Sequence, residues 1–186
     1  VSDSDKPLFN RAVKATYRPG SIWKMVQGLV ALQGGQIRPT TRFSCDRNII
    51  GCHGPHTQDD LRNAVIHSCN PYFYKVMQRV VNAGKGDTKF ERAALGLDDW
   101  RKRVMAFGFG TNLGGRLPGT STGSVPDSDY YDGIYGRRRW DFGTVYSISI
   151  GEGELLTTPL QMANLAATLA NRGWYRLPHF IHAVGD

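Results

Sequence analysis

The sequence predicts a mainly α domain, and three observations carry that prediction. Trp23, Val26, Leu29 and Val30 recur at helical spacing directly after the breaker Pro19-Gly20. Leu160, Ala163, Leu165, Ala166 and Leu169 do the same after Thr158-Pro159. Few segments show the period-two alternation of a half-buried strand. With 186 residues, 40% of them hydrophobic, the chain suits one domain or a large piece of one, and is too apolar for a disordered chain.

In chain order, the stretch to about Arg18 reads as irregular or extended. Ser21 suits a helix N-terminus, and Gly34-Gly35 closes the helix that runs from Ser21 to Leu32. Residues Gln36 to Asp60 read as a long loop. A short helix follows from Asp59 to about His67. Another begins after Asn70-Pro71, because proline fits a first helical turn, and continues through Tyr74, Met77, Val80 and Val81 to Gly84. Asp98 to Phe107 predicts a further helix with Asp98 and Asp99 at its positive end. Gly108 to Tyr146, dense in Gly, Pro, Ser and Asp, reads as a long functional loop. The Thr158-Pro159 helix closes at Asn171 to Gly173, and Trp174 to Val184 reads as a strand.

Charge and composition narrow the function. The net charge is +7, but the basic residues are scattered apart from Arg137, Arg138 and Arg139, with no interleaved aromatics. That excludes the nucleic-acid reading and leaves the arginine run as a solvated loop. No apolar run is long enough to span a bilayer. The chain starts at Val1 without a signal peptide, which reads as a piece of a longer protein.

The chemistry centres on two short motifs. A serine hydroxyl is a weak nucleophile until an adjacent base takes its proton. Ser21 and Lys24, three apart at a helix start, project from one face, and a desolvated lysine can serve as that base. Backbone N–H groups at the helix start would favour a developing oxyanion. Alone, a Ser-x-x-Lys pair occurs by chance about once in such a chain, as a capping serine beside a solvated lysine. The second motif is Ser68-Cys69-Asn70, where a hydroxyl and an amide two residues apart can point into one cleft. Alone, that tripeptide reads as a helix cap.

Together the motifs carry a resemblance. The segment Ala15-Thr16-Tyr17-Arg18-Pro19-Gly20-Ser21-Ile22-Trp23-Lys24 is similar to the first motif of penicillin-binding proteins, and Ser68-Cys69-Asn70-Pro71-Tyr72-Phe73-Tyr74 to their second. Phe107-Gly108-Phe109-Gly110, Leu117-Pro118-Gly119, Ser149-Ile150-Gly151-Glu152-Gly153 and Thr158-Pro159-Leu160-Gln161-Met162-Ala163 resemble the family's later segments, in the family's order. The chain looks like a class B transpeptidase domain, nearest the penicillin-binding protein 2 type of cell elongation.

That resemblance implies the helical lobe of the α/β serine transpeptidase (beta-lactamase-like) fold, over residues 1–186 as one partial domain with most of the sheet absent. It implies a D,D-transpeptidase in which Ser21 is acylated by D-Ala-D-Ala stem peptides and by beta-lactams. Lys24 would take the hydroxyl proton, Ser68 would relay a proton to the leaving amine, and Asn70 would orient Lys24 and the acyl group. No cofactor is needed for that chemistry. The implied partners are peptidoglycan and the cell-elongation machinery. The implied location is the periplasmic face of the inner membrane, with an N-terminal anchor not in this chain. The family's third motif, Lys-Thr-Gly or Lys-Ser-Gly, is missing, and Lys85-Gly86-Asp87 does not replace it. The isolated chain is therefore expected to bind penicillin poorly. The alternatives are a penicillin-sensor domain of a receptor, a beta-lactamase, and a scaffold with idle motifs.

Cys45, Cys52, Cys69 and a histidine suit a tetrahedral structural zinc. If Ser68 and Asn70 face the cleft, Cys69 faces away, toward the loop that bears the other two cysteines. His56 is the preferred fourth ligand, with His53 second, and the resemblance favours a histidine at His56. A Cys45–Cys52 disulfide with Cys69 free, or three ordinary thiols, are the competing readings. His67 and His179 read as surface or helix-end residues, and Trp100, Trp140 and Trp174 as packing residues. Glu152 and Glu154 match neither a catalytic dyad nor a metal pair.

Overall fold

The computed structural model describes residues 8–115 and 118–179. Gly20, at φ +57°, makes a turn that L side chains resist, and a single 3₁₀ turn, Gly20–Ile22, leads into α2 (Trp23–Gln33). A short helix α1 (Arg11–Lys14), capped by Asn10, precedes it where irregular or extended chain was expected. Four residues hold too little periodicity to be read, and the cap is an asparagine that serves turns equally well.

α2 is the central rod. It buries Trp23, Val26, Val30 and Ala31, together with two polar residues, Lys24 and Gln27. α4 (Asn70–Val81) opens on Asn70-Pro71 as expected and buries Tyr72, Phe73, Val76, Met77, Val80 and Val81. α5 (Lys89–Met105) packs on α4 at close range. A Cβ on Gly96 would collide with the Val81 carbonyl, so glycine sets that approach. Trp100 of α5 crosses to α2, where its Nε1 donates to Gln27 Oε1 at 2.8 Å. The Trp23 ring meets Trp100 and Phe109 edge-on, with centroids 6.2 and 4.9 Å apart. Buried side chains of this size contribute roughly 2–3 kcal/mol each by area alone, so this aromatic cluster anchors the rod that carries Lys24.

α5 begins nine residues earlier than the Asp98 expected. Its start is a capping box, with Thr88 Oγ1 accepting from Glu91 N and Glu91 Oε2 accepting from Thr88 N. Asp98 and Asp99 therefore lie inside the helix. Asp98 accepts from the Ser128 backbone and hydroxyl, and Asp99 pairs with Arg103. The Gly108–Tyr146 stretch is not one loop. It contains α6 (Ser128–Tyr135) and α7 (Phe142–Val145), each capped by an aspartate, Asp127 and Asp141. The caps are legible in the sequence, but helices this short show no clear period.

α8 (Pro159–Ala170) matches the expected helix, with a Thr158/Gln161 capping box. The Gln161 amide also donates to the carbonyls of Gly108, Thr111 and Thr122, which ties that glycine-rich segment to α8. The described part of the tail, to His179, contains no strand, and Trp174 is exposed instead of packed. Residues 180–184 of the expected strand and Leu117 of the quoted Leu-Pro-Gly segment lie outside the described residues.

Among the described residues the only sheet is an antiparallel pair, β1 (Phe43–Ser44) and β2 (Gln58–Asp59), which closes the base of the 45–57 loop. It leads into α3 (Leu61–Ile66), capped by Asp60. The arginine run is surface: Arg138 bonds Glu91 at 2.6 Å and Arg137 lies 3.7 Å from Asp132. No helix among the described residues is long and apolar enough to cross a membrane.

Candidate active site and thiol cluster

Lys24 sits on the first turn of α2, where a lysine would ordinarily reach solvent, yet it is 2% exposed. The end of α3 and the start of α4 cover it. Between them Ser68 adopts φ +52°, a left-handed conformation that costs about 1–2 kcal/mol for an L residue. That bend turns both the carbonyl and the hydroxyl of Ser68 toward α2. The Lys24 Nζ then has four neighbours: Ser21 Oγ at 3.1 Å, Ser68 O at 2.7 Å, Ser68 Oγ at 2.8 Å and Asn70 Oδ1 at 2.5 Å. Residues 21, 24, 68 and 70 thus meet at one nitrogen.

Neither capping alternative describes these residues. The start of α2 carries no side-chain cap bond, and the Ser21 hydroxyl faces Lys24. The N-cap position of α4 is Cys69, also without a side-chain cap bond. Burial drives the Lys24 pKa below the usual lysine range, while the nearby Cys52 and Cys69 thiols oppose that shift. Ser21 itself is exposed, so its hydroxyl can be reached from solvent while the Lys24 amine beneath it is buried.

The Asn70 amide is held at both ends, since its Nδ2 donates to the Gly51 carbonyl at 2.7 Å. Gly51 belongs to the 45–57 loop, and no sequence signal marks it, because the contact is made by a backbone oxygen.

Behind the Ser68–Asn70 segment lies a second cluster. Cys45 Sγ, Cys52 Sγ, a ring nitrogen of His56 and Cys69 Sγ all lie within 4.8 Å of one another. The three thiols are free. Burial, the largest cause, pushes the Cys45 and Cys69 thiols up from their usual value. A tetrahedral ion with bonds of about 2.3 Å to sulfur holds its sulfurs about 3.8 Å apart, so this donor set fits zinc with little rearrangement. His53 is outside the set. His67, read as a surface or helix-end residue, is exposed at the C-terminal end of α3, and there its Nδ1 lies 2.9 Å from Asp59 Oδ1 and its ring stacks on His56 at 4.7 Å. The buried Asp59 Oδ2 has no hydrogen bond, and His56 Nε2 lies 3.6 Å away.

The family model described as the penicillin-binding protein transpeptidase domain matches residues 1–186. The chain belongs to that family. Among curated members of the transpeptidase family, it is 30% identical to the peptidoglycan D,D-transpeptidase MrdA of Acinetobacter baumannii over 97% of its length, and 28% identical to PbpA of Mycolicibacterium smegmatis over 98%. It spans 26% and 34% of those two proteins. Penicillin-binding protein 2 of Pseudomonas aeruginosa, solved in complex with WCK 5153, superposes with a TM-score of 0.75 at 27% identity, covering 96% of this chain and 39% of that one. The Helicobacter pylori homologue, solved in complex with MreC, superposes at 0.67 with 28% identity, covering 87% of this chain and 29% of that one. The mainly α architecture is thus the helical lobe of the transpeptidase fold.

Proposed function

We propose that this chain forms the serine-bearing part of a peptidoglycan D,D-transpeptidase. The observation that carries the reading is the convergence of Ser21, Ser68 and Asn70 on the buried amine of Lys24. Ser21 Oγ attacks the carbonyl carbon of the penultimate D-alanine while its proton passes to the neutral Lys24 amine. The tetrahedral intermediate collapses and its C–N bond breaks. The departing D-alanine amine takes a proton through the Ser68 hydroxyl, which Lys24 replenishes. A neighbouring stem's amine then attacks the Ser21 ester, forms the crosslink and frees the serine. A beta-lactam follows the first half of this path and stays attached. Asn70 fixes the lysine, and an N–H at the start of the helix stabilises the oxyanion.

The test is labelling with a fluorescent penicillin in the protein that carries this chain. One adduct at Ser21, lost in Ser21→Ala and slow to hydrolyse, supports the transpeptidase. Rapid turnover of the adduct would make it a beta-lactamase instead. The isolated 186-residue chain, which has no Lys-Thr-Gly motif, should label poorly. Acylation at an undiminished rate would contradict that. Elongation-machinery partners belong to the same proposal, supported by the likeness to a penicillin-binding protein 2 solved with MreC, and a periplasmic location at the inner membrane is proposed with them.

Cys45, Cys52, His56 and Cys69 would hold a structural zinc. All four positions of the ion would be filled by protein, so its chemistry is to crosslink the 45–57 loop to the Ser68–Asn70 segment. The acylation and transfer steps above do not involve it. Metal analysis of protein purified without added zinc tests this. A zinc-free sample with a Cys45–Cys52 bond would refute it.

A further inference from the structure

The two ends of a side-chain amide are nearly equal in size but opposite in polarity, so its partners decide which way it faces. Asn70 has one partner that can only accept, the Gly51 carbonyl, and Nδ2 donates to it at 2.7 Å. Oδ1 must therefore face Lys24. That choice propagates. A neutral amine has two N–H groups and one lone pair. In the neutral form that takes the serine proton under the proposed function, Lys24 has two partners that can only accept, Ser68 O and Asn70 Oδ1, and these use both hydrogens. The lone pair is left for a hydroxyl, that of Ser68 at 2.8 Å or of Ser21 at 3.1 Å. With the amide reversed, Nδ2 would donate into the same lone pair, and the Ser21 proton would have no acceptor.

We propose that the Gly51 carbonyl is a positioning group for acylation: it selects the end of the Asn70 amide that faces Lys24, and so reserves the lysine lone pair for the serine hydroxyls. This rests on the assignment of Ser21 as nucleophile. The location of Gly51 makes the contact adjustable. Gly51 precedes Cys52, and Asn70 follows Cys69, so the two cluster cysteines flank the Gly51–Asn70 bond. Whatever holds Cys52 against Cys69 also holds the carbonyl against the amide.

The experiment replaces the Gly51–Cys52 peptide by an ester, by semisynthesis, in the protein that carries this chain. The change keeps every side chain and weakens the Gly51 oxygen as an acceptor. The acylation rate constant for a fluorescent penicillin should fall about tenfold, with the reversible dissociation constant within about twofold of its original value, a split equivalent to about 1.4 kcal/mol at the transition state. An aspartate at the same place presents an oxygen to Lys24 whichever way it turns. In an Asn70→Asp background the ester should therefore add less than about twofold. An unchanged rate in the parent, or the same tenfold loss in both backgrounds, overturns the proposal. Should the ester protein fail to fold, a through-hydrogen-bond scalar coupling between ¹⁵Nδ2 of Asn70 and the ¹³C carbonyl of Gly51 decides the matter in the unmodified protein. Its presence supports the latch, and its absence overturns it. Undiminished acylation of Ser21→Ala would instead overturn the nucleophile assignment.

Discussion

Ser68, Cys69 and Asn70 have two sides, and they differ in how their polar groups are satisfied. On the front, Ser68 and Asn70 meet Lys24, and the donors and acceptors there match within the protein. On the back, Cys69 meets Cys45, Cys52 and His56, where buried thiols crowd one another and a neighbouring buried carboxylate oxygen has no hydrogen bond. Under the proposed function the self-satisfied front acts on an acyl group brought to the exposed Ser21. Under the same proposal the soft donors of the back would hold a zinc ion. One bend at Ser68 serves both, because consecutive residues there point opposite ways.

The largest expected effect breaks the front. Lys24→Ala should lower penicillin acylation about a thousandfold, the scale of a lost general base, measured by stopped-flow labelling. A loss below tenfold would give the front cluster a structural role only. The next breaks the back. Chelation should destabilise the protein by about 2.7 kcal/mol relative to free zinc at a hundred times its dissociation constant, read by urea denaturation. Cys69→Ala should abolish that difference, and a chelator-insensitive parent would leave the back as plain thiols.

The pH dependence sharpens the contrast. Because burial lowers the folded pKa of Lys24, the unfolded chain binds more protons between that pKa and the ordinary 10.5. This lysine's contribution to stability therefore rises with pH across that window, at up to about 1.4 kcal/mol per pH unit. It is lost as pH falls through the folded value. Lys24→Met should flatten that slope, and an unchanged slope would contradict the desolvation. The smallest effect tests the bend. Both Ser68→Ala and Ser68→Gly remove the hydroxyl, but glycine should be more stable by about 1 kcal/mol at φ +52°, seen as a higher thermal midpoint. Equal stabilities would show that the bend is unstrained.

The two helices that carry the front cluster, and α8 with them, were legible because each announces itself locally. Pro19-Gly20 precedes α2, Asn70-Pro71 opens α4, and Thr158-Pro159 starts α8. Where the local signal was short, as in α1, α6 and α7, no periodicity window had enough residues to fill. The displaced start of α5 has a different cause: Asp98 has the chemistry of a helix-start residue but accepts from Ser128, thirty residues away. His67 is the exposed helix-end residue expected, but its pairing with the buried Asp59 carried no sequence signal.

Residue types and their spacing by themselves determined the mainly α class, the pairing of Ser21 with Lys24, and the candidate ligands, since all of these are short-range properties of the chain. Tertiary structure alone decided that Lys24 is dry, that Ser68 and Asn70 reach it from 44 and 46 residues away, and that the Gly51 oxygen faces the Asn70 amide. Desolvation and hydrogen-bond matching depend on which surfaces pack together, and a backbone carbonyl carries no mark in the sequence of residues.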